Sequence, residues 1–260
     1  MTYTNILFKK NASIATITLH RPDVINSVNW NLSEELQHAL TDAGHDNDIR
    51  CIVLTGSGKG FCAGQDLVEA TADNSKPIAE IVEKQYNPII RLIRTIEKPI
   101  IAGVNGVAAG AGANIALACD IVVAAESAYF VQSFSSIGLI PDSAGTFFLP
   151  RLIGFQKAGA LMITAEKVFA KEAVQMGMIY KSFTDDSFFE ELSLLAKTIA
   201  ARPTKGIGLT KRALNESLFH TLEQQLETEK NIQAEAAQSN DTKEGINAFK
   251  EKRKPVFTGS

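Results

Sequence analysis

The sequence predicts an α/β fold with a helical C-terminal region, and three observations support this. Apolar runs at 49–55, 99–104 and 120–125 have the length and composition of buried strands. Between them lie segments with helical spacing or Gly/Ala-rich composition, an alternation that is typical of layered α/β folds. Towards the C-terminus the strand signals end and helical spacing takes over. We therefore expect an α/β core over residues 1–201 and a helical region over residues 202–260.

Local signals along the chain predict the individual elements. Alternating apolar and polar residues indicate a strand at 15–19, and Asn31 with Glu34 three residues later indicates the start of a helix. Residues 78–96 show helical spacing, with a kink expected at Pro88. The remaining predicted segments are a polar surface loop at 71–76 and C-terminal helices at 189–201, 203–219, 222–237 and 242–252.

Composition and charge exclude several classes of protein. The chain has 260 residues, a formal net charge of −3 and 45% hydrophobic residues, as soluble globular proteins do. A slightly acidic chain lacks the clustered basic surface that binds nucleic acid, so no such partner is expected. The most apolar segment, 107–125, contains Asn114 and Asp120, which argues against a membrane span. No secretory signal is visible, and three widely spaced cysteines predict reduced thiols and no zinc site, so we expect a cytoplasmic protein without a metal.

Two glycine-containing loops are candidates for ligand binding. Residues 60–67 (GFCAGQDL) follow the strand predicted at 49–55, and residues 105–114 (NGVAAGAGAN) follow the strand predicted at 99–104. Both loops leave the carboxyl end of a buried strand, where α/β folds bind their ligands. Because small residues let backbone N–H groups approach a ligand closely, the two loops could direct two donors at one oxygen, as an oxyanion hole does. Tight turns with close helix–strand packing are the alternative interpretation.

Asp142 is a candidate for acid–base chemistry. It follows a mostly apolar segment, 137–141, and such surroundings raise the pKa of a carboxyl group and suit it to proton transfer at carbon. The alternative is that Asp142 caps the amino terminus of a helix that begins at Ser143.

In this order, the two loops and the segment around Asp142 resemble the crotonase (enoyl-CoA hydratase/isomerase) superfamily. The resemblance runs from His20-Arg21-Pro22 to Lys252-Arg253 and covers nearly the whole chain. It implies an α/β spiral of ββα turns, a helical C-terminal trimerisation region, and homotrimers that pair into hexamers. It also implies an acyl-CoA substrate, which carries its own coenzyme A, and no further cofactor.

The resemblance assigns roles to individual positions. The thioester oxygen would accept hydrogen bonds from the backbone N–H groups of Gln65 and Ala111. Most members have glycine at the second of these positions, but a backbone donor does not depend on the side chain. Coenzyme A would be bound by the first loop and by a basic side chain from a neighbouring subunit, that is, by Ala63, Gly64, Asp66 and Lys252.

The acidic positions separate the activities within the superfamily. Enoyl-CoA hydratases use two glutamates, and the matching residues here are Asn114 and Phe134, which cannot ionise and are expected to line the substrate pocket. Asp142 matches the acid of dienoyl-CoA isomerases and of members that isomerise the ring epoxide of phenylacetyl-CoA. The resemblance therefore implies an isomerase that acts through a thioester enolate. Its reaction would convert the ring epoxide to an oxepin, or shift the double bond of a 3-enoyl-CoA to the 2-position.

Three other functions stay open at this stage. One is a hydratase-like enzyme of fatty-acid β-oxidation. Another is a dehalogenase-like enzyme, since Asp142 also matches the nucleophile of 4-chlorobenzoyl-CoA dehalogenase; that chemistry needs an aromatic cage, and the single tryptophan, Trp30, is distant in sequence. The third is a non-catalytic acyl-CoA-binding scaffold, which would also lack the two glutamates but would not need an acid at position 142.

Overall fold

The computed structural model describes residues 1–73 and 75–260; Asn74, in the polar loop predicted at 71–76, lies outside the described residues. The strands in this part of the chain are β1 (Ile6–Asn11), β2 (Ile14–Leu19), β3 (Cys51–Gly56), β4 (Gly60–Cys62), β5 (Ile100–Val104), β6 (Val107–Ala109), β7 (Ile121–Ala125), β8 (Tyr129–Val131), β9 (Val168–Phe169) and β10 (Lys181–Phe183). They form a six-stranded sheet in the order β1-β2-β3-β5-β7-β10 and a four-stranded sheet in the order β4-β6-β8-β9.

The chain passes repeatedly from one sheet to the other. Strands β3, β5 and β7 pair in parallel in the large sheet, and each is followed at once by a short strand, β4, β6 or β8, in the small sheet. The short strands pair in parallel in the corresponding order, β4 with β6 and β6 with β8. Each turn of the chain therefore adds one strand to each sheet. Helices follow the first two of these strand pairs directly. This arrangement is the predicted spiral of ββα turns.

Twelve α-helices are found among the described residues. They are α1 (Trp30–His45), α2 (Leu67–Ala70), α3 (Ile78–Ile81), α4 (Asn87–Thr95), α5 (Ala111–Leu117), α6 (Gly145–Ile153), α7 (Phe155–Thr164), α8 (Ala170–Gln175), α9 (Phe188–Ala200), α10 (Thr204–Ser217), α11 (Leu222–Ala237) and α12 (Asn240–Lys250). A π-helical segment, Val82–Tyr86, joins α3 to α4.

Most predicted elements are present with shifted ends. Helix α1 begins at Trp30 because the side chain of Asn29, rather than Asn31, caps it and accepts a 2.9 Å hydrogen bond from the Leu32 N–H. The helix predicted over 78–96 is divided into α3, the π-helical segment and α4. Pro88 lies at the start of α4, directly after the π-helical segment, and it has no N–H to donate to the preceding turn. The Lys84 carbonyl, four residues before it, accepts instead from Gln37 Nε2 at 3.0 Å.

Sequence patterns missed the short elements at the edges of the sheets. Strand β1 pairs antiparallel with β2 at the edge of the large sheet, and only Ile6 among its six residues is buried. A strand with so little buried surface has no alternating pattern to detect. Helices α7 and α8 and strands β9 and β10 were also not predicted, and a helix near α6 was considered only as the element that Asp142 would cap.

The C-terminal helices are attached to the core through polar contacts. The ammonium of Lys211 in α10 is buried and lies 2.7 Å from the carboxylate of Asp120, which also pairs with Arg94 at 3.2 Å. Several apolar side chains of the last two helices are exposed, among them Leu222 and Phe249. The boundary predicted after residue 201 falls in the turn between α9 and α10, and both the two-part division and the trimer or hexamer stay predictions.

Within residues 1–73 and 75–260, no helix has both the length and the hydrophobicity needed to cross a bilayer.

Candidate active site

The two glycine-containing loops lie side by side because the strands that lead into them are paired. Cys62 at the end of β4 is in register with Ala108 in β6. Gly64 has a φ of +90°, and a Cβ atom there would lie 2.9 Å from the Ala109 carbonyl oxygen and 3.4 Å from the Ala111 nitrogen. Glycine is therefore required at position 64 by both conformation and space. The close contact brings the residues after each strand to one place.

Two backbone donors at this place have no acceptor. The groups around Gln65 are paired: the Val28 N–H donates to the Gly64 carbonyl (2.7 Å) and the Asp66 N–H donates to the Val28 carbonyl (3.0 Å). Ala111 is the first residue of α5, so its N–H has no partner within the helix. Among the described residues, neither the Gln65 N–H nor the Ala111 N–H donates a hydrogen bond. Two free donors on adjacent loops can bind one oxygen atom.

The side chain of Gln65 is held by Tyr86, at the end of the π-helical segment. The Tyr86 hydroxyl donates to Gln65 Oε1 at 2.5 Å, and the Tyr86 ring is buried. Burial raises the pKa of Tyr86 well above its ordinary value, and nearby negative charges, including that of Asp142, raise it further. The hydroxyl therefore stays protonated and remains available as a hydrogen-bond donor to Gln65.

Asp142 has the environment of a proton-transfer group. Burial raises the pKa of its carboxyl group above the ordinary value of 3.8, and the hydrogen bond from Ser143 Oγ (2.9 Å) opposes the rise only in part. No cation in the described part of the chain lowers this pKa. The capping interpretation is wrong, because α6 begins at Gly145 and has no side-chain cap.

Asn114 is buried beneath Asp142 and both polar atoms of its amide are bonded. Its Nδ2 donates to the backbone carbonyl of Asp142 at 2.8 Å, and its Oδ1 accepts from Nε2 of Gln132 at 2.8 Å. Only 1% of the Asn114 surface is exposed, so its amide faces protein groups rather than open space. Gln132 was missed by sequence reasoning, because nothing in a single sequence links three segments so far apart.

Phe134 lies next to the second donor loop. The edge of its ring would be 3.7 Å from a Cβ atom at Gly110, the residue just before the Ala111 N–H. Phe134 is buried and therefore contributes an apolar wall beside this donor.

The first loop is braced by residues 21–28. The Asn26 amide donates to the Gly60 carbonyl at 2.8 Å, and the Ala63 N–H donates to the Ile25 carbonyl at 2.9 Å. Ile25 and Asn26 both have positive φ, which indicates that the brace is strained and firmly held. Of this segment, the sequence pointed only to its first residues, near Arg21.

Of the four residues predicted to bind coenzyme A, Asp66 has its side chain bonded within the protein. Asp66 is buried, caps α2 and pairs with Arg21 at 2.8 Å. Burial raises its pKa, but Arg21 and two backbone N–H groups outweigh this effect and hold the pKa below its ordinary value. Ala63 and Gly64 present backbone. Lys252 follows α12 and is exposed, with no ion pair through its side chain among the described residues.

Metal and thiol chemistry find no support in this arrangement. In the described ranges no three His, Cys, Asp or Glu side chains gather as a metal site would require. Cys51, Cys62 and Cys119 are buried, and burial raises the pKa of each to about 12, so they are unreactive thiols.

The family model for enoyl-CoA hydratase/isomerase matches residues 9–260. The chain therefore belongs to the enoyl-CoA hydratase/isomerase family of the crotonase superfamily, whose members are enzymes that act on acyl-CoA esters.

The relatives with similar sequences or structures include two kinds of enzyme. The chain is 43% identical to 1,2-epoxyphenylacetyl-CoA isomerase of Escherichia coli (strain K12), over 98% of both chains. It is 42% identical to a probable enoyl-CoA hydratase of Rhodobacter capsulatus, over 100% of both. The solved structure of an enoyl-CoA hydratase from Bacillus anthracis superposes with a TM-score of 0.94 at 33% identity, over 99% of this chain and 100% of that one. Isomerases and hydratases thus both occur among the relatives.

Proposed function

We propose that this protein is an acyl-CoA isomerase that acts through a thioester enolate, with ring-epoxide phenylacetyl-CoA as its most suitable substrate. The observation that carries the proposal is the carboxyl group of Asp142, which is half-buried, has a raised pKa and has no cation to hold it ionised. A carboxyl group with a raised pKa can take a proton in one step of a reaction and return it in the next.

The two unpaired backbone donors supply the other half of the mechanism. The N–H groups of Gln65 and Ala111 would bind the thioester oxygen, where negative charge develops when the neighbouring carbon loses a proton. A single donor of this kind is typically worth about 2.7–4 kcal/mol in the transition state. The donors therefore make the C2 proton acidic enough for a carboxylate to remove.

The proton returns to the same molecule, so no water is consumed. With a 3-enoyl-CoA, Asp142 takes the C2 proton and the C–H electrons form a dienolate across C1 to C4. The protonated Asp142 then returns the proton to C4, and the double bond is left between C2 and C3. Atoms and charge balance, and Asp142 ends as it began.

The ring epoxide needs the same groups. The epoxide opens to its seven-membered oxepin form when the carbon–carbon single bond shared by the two rings breaks and the ring double bonds shift. Both carbon–oxygen bonds are kept, and the reverse change closes the epoxide again. Asp142 would then move the C2 proton of the side chain to a ring carbon through the same stabilised enolate. The 43% identity to 1,2-epoxyphenylacetyl-CoA isomerase favours this substrate over a straight-chain ester.

Hydration is the less suitable reaction. Adding water across a double bond calls for one group to activate water and another to protonate carbon. The amide of Asn114 does not ionise and the ring of Phe134 is apolar, so neither side chain takes or gives a proton. A non-catalytic scaffold, for its part, has no use for a desolvated acid at position 142.

Coenzyme A and the oligomer complete the proposal. The adenine would lie against the backbone of Ala63 and Gly64 near Asp66, and the phosphates would meet Lys252 from a neighbouring subunit. The exposed apolar side chains on the last two helices are compatible with a homotrimer, alone or paired into a hexamer.

Turnover assays with three CoA esters test the proposal. Purified protein is given a 3-enoyl-CoA, a 2-enoyl-CoA and enzymatically prepared ring-epoxide phenylacetyl-CoA, with Asp142→Asn in parallel. We expect isomerisation of the epoxide or the 3-enoyl ester, lost in the variant, and no hydration of the 2-enoyl ester. Hydration would refute the roles given to Asn114 and Phe134. Firm CoA-ester binding without turnover would favour the scaffold.

A further inference from the structure

Three distant segments meet in one chain of hydrogen bonds behind the proposed acid. Gln132 follows β8, Asn114 lies in α5, and Asp142 precedes α6. Gln132 Nε2 donates to Asn114 Oδ1, and Asn114 Nδ2 donates to the Asp142 carbonyl, each at 2.8 Å. We call these two side chains the Gln132–Asn114 bridge. Both are buried, with 2% and 1% of their surface exposed, so the hydrogen bonds are shielded from water.

The Asp142 carbonyl accepts one further hydrogen bond, from the Gly145 N–H of the same turn at 2.8 Å, so Asn114 Nδ2 is the contact that ties it to another part of the chain. Ser143 and Ala144 have φ values of +50° and +59°, which are strained for residues with a Cβ atom, and α6 starts without a side-chain cap. Ile140, two residues before Asp142, has 80% of its surface exposed. The next turn also depends on Asn114, because a Cβ atom at Gly145 would lie 2.3 Å from Asn114 Nδ2. Strained backbone persists only where neighbouring contacts fix it, and the bridge is such a contact.

Helix α5 connects the bridge to the two proposed donors. Ala111 is its first residue and carries one donor itself, one turn before Asn114. Gly112 packs on the strand that leads to the other donor, since a Cβ atom there would be 2.4 Å from the Cys62 carbonyl oxygen. A single short helix therefore contacts both donor loops and the backbone of the acid.

We infer that Asn114, oriented by Gln132, is a positioning residue that fixes the carboxyl group of Asp142 relative to the thioester donors. The inference rests on the proposed function, in which Asp142 moves the C2 proton. Asn114 acts here through the protein backbone and not through contact with the substrate. A displacement of about 1 Å in a reacting group can cost roughly a hundredfold in rate, so a small shift of this loop has a large effect.

The test compares Asn114→Ala and Gln132→Met with wild type. The first removes the hydrogen bond to Asp142; the second removes the Gln132 donor with an uncharged side chain of similar length and never touches Asp142. Asn215→Ala is the matched control, because this asparagine also bridges two segments through both amide atoms, donating to the Arg94 carbonyl at 2.9 Å and accepting from the Arg94 guanidinium.

The first measurement is kcat and KM for the isomerised ester. In both bridge variants we expect kcat to fall at least tenfold while KM changes less than threefold. The acidic limb of the kcat profile should also move to lower pH, because a released Asp142 gains water. The Asn215→Ala control should lower the melting temperature without either effect. A raised KM with unchanged kcat would show that Asn114 contacts substrate, and losses no greater than the control's would show a purely structural role; either result overturns the inference.

The second measurement does not depend on isomerisation. Exchange of the C2 protons of phenylacetyl-CoA in D2O reports the base alone, and calorimetry with the same ester reports binding. If exchange is slowed at least tenfold in the bridge variants and binding is kept, the inference stands even where no ester is isomerised and the proposed substrate is wrong. Exchange at the wild-type rate in Asn114→Ala, or no exchange in wild type, overturns it.

Discussion

The Tyr86 hydroxyl donates a 2.5 Å hydrogen bond to Oε1 of Gln65, the residue whose backbone N–H is one of the two proposed oxyanion donors. Tyr86 lies at the point where the π-helical segment passes into α4. The extra residue per turn of a π-helix displaces the side chains that follow, and such segments are frequent at functional sites. The π-helical segment thus places a hydroxyl group that holds the side chain of Gln65, in the loop that carries a proposed donor.

Tyr86→Phe should weaken catalysis without unfolding the protein. The substitution keeps the ring and removes one neutral hydrogen bond, typically worth about 0.5–1.5 kcal/mol. We expect kcat/KM to fall about two- to tenfold, as the Gln65 loop becomes less well fixed. Tyr3→Phe is the control, because it removes a hydroxyl bonded to His38 at 2.7 Å on the exposed surface. Equal effects of the two variants on kcat/KM would refute the link.

The pH dependence of the reaction should reveal the desolvated acid. Asp142 must be ionised to accept the C2 proton, and burial raises its pKa above 3.8. Activity should therefore fall as the pH decreases, with an apparent pKa for the acidic limb of kcat/KM above that of an exposed aspartate. An acidic limb at or below 3.8, with a substrate that itself does not titrate, would contradict the environment described for Asp142.

Asp142→Asn should leave the fold intact and remove the loss of folding stability that ionisation of the Asp142 carboxyl group causes as the pH rises. Because the folded-state pKa is raised, the folded protein binds this proton more tightly than the unfolded chain does. The contribution of Asp142 to the free energy of unfolding is thus most favourable below pH 3.8 and decreases as the pH rises through the folded-state pKa. Each unit of raised pKa corresponds to about 1.4 kcal/mol.

Asparagine cannot ionise, so the free energy of unfolding of the variant does not contain this decrease with rising pH. The difference in melting temperature, variant minus wild type, should increase between pH 4 and pH 7. Thermal unfolding followed by circular dichroism at these two pH values measures it. A difference that decreases with pH would mean that the Asp142 carboxylate is stabilised in the folded protein.

Gly64→Ala should damage both stability and activity. An alanine there must adopt a φ of +90° and place its Cβ atom 2.9 Å from the Ala109 carbonyl oxygen. Such backbone strain costs about 1–3 kcal/mol, and relieving it separates the two donor loops. We expect a lower melting temperature and a large loss of kcat. Gly159→Ala, in α7 with no atom within 4 Å of the added Cβ, is the control and should keep full activity.

The sequence predicted the parts of the site that depend on local chemistry. The donor loops could be located because 49–55 and 99–104 are recognisable buried strands, and the segments after them contain the glycines that close approach requires. Asp142 could be singled out because a carboxyl group after a mostly apolar run is unusual. The resemblance to the crotonase superfamily then indicated the spiral fold, which the structure confirms.

The parts of the site that the sequence did not predict depend on contacts between segments that are distant along the chain. Gln132 and Asn26 have ordinary sequence surroundings, and their importance comes only from the carbonyl and amide groups that the fold brings to them. Asn114 was expected to line the substrate pocket because the family places a glutamate there. Its actual neighbours, the Asp142 carbonyl and the Gln132 amide, could not be inferred from one chain.

The hydrogen bond from Asn114 to the Asp142 backbone also limits how this enzyme could change its activity by mutation. A glutamate at position 114 would bring a carboxylate towards a carbonyl oxygen that now lies 2.8 Å from a donor, and two acceptors repel each other. A glutamate at position 114 would therefore lose the hydrogen bond that now holds the Asp142 backbone. A pair of glutamates like that of the hydratases needs substitutions at both 114 and 134, and the first of these already disturbs the loop that carries the proposed acid.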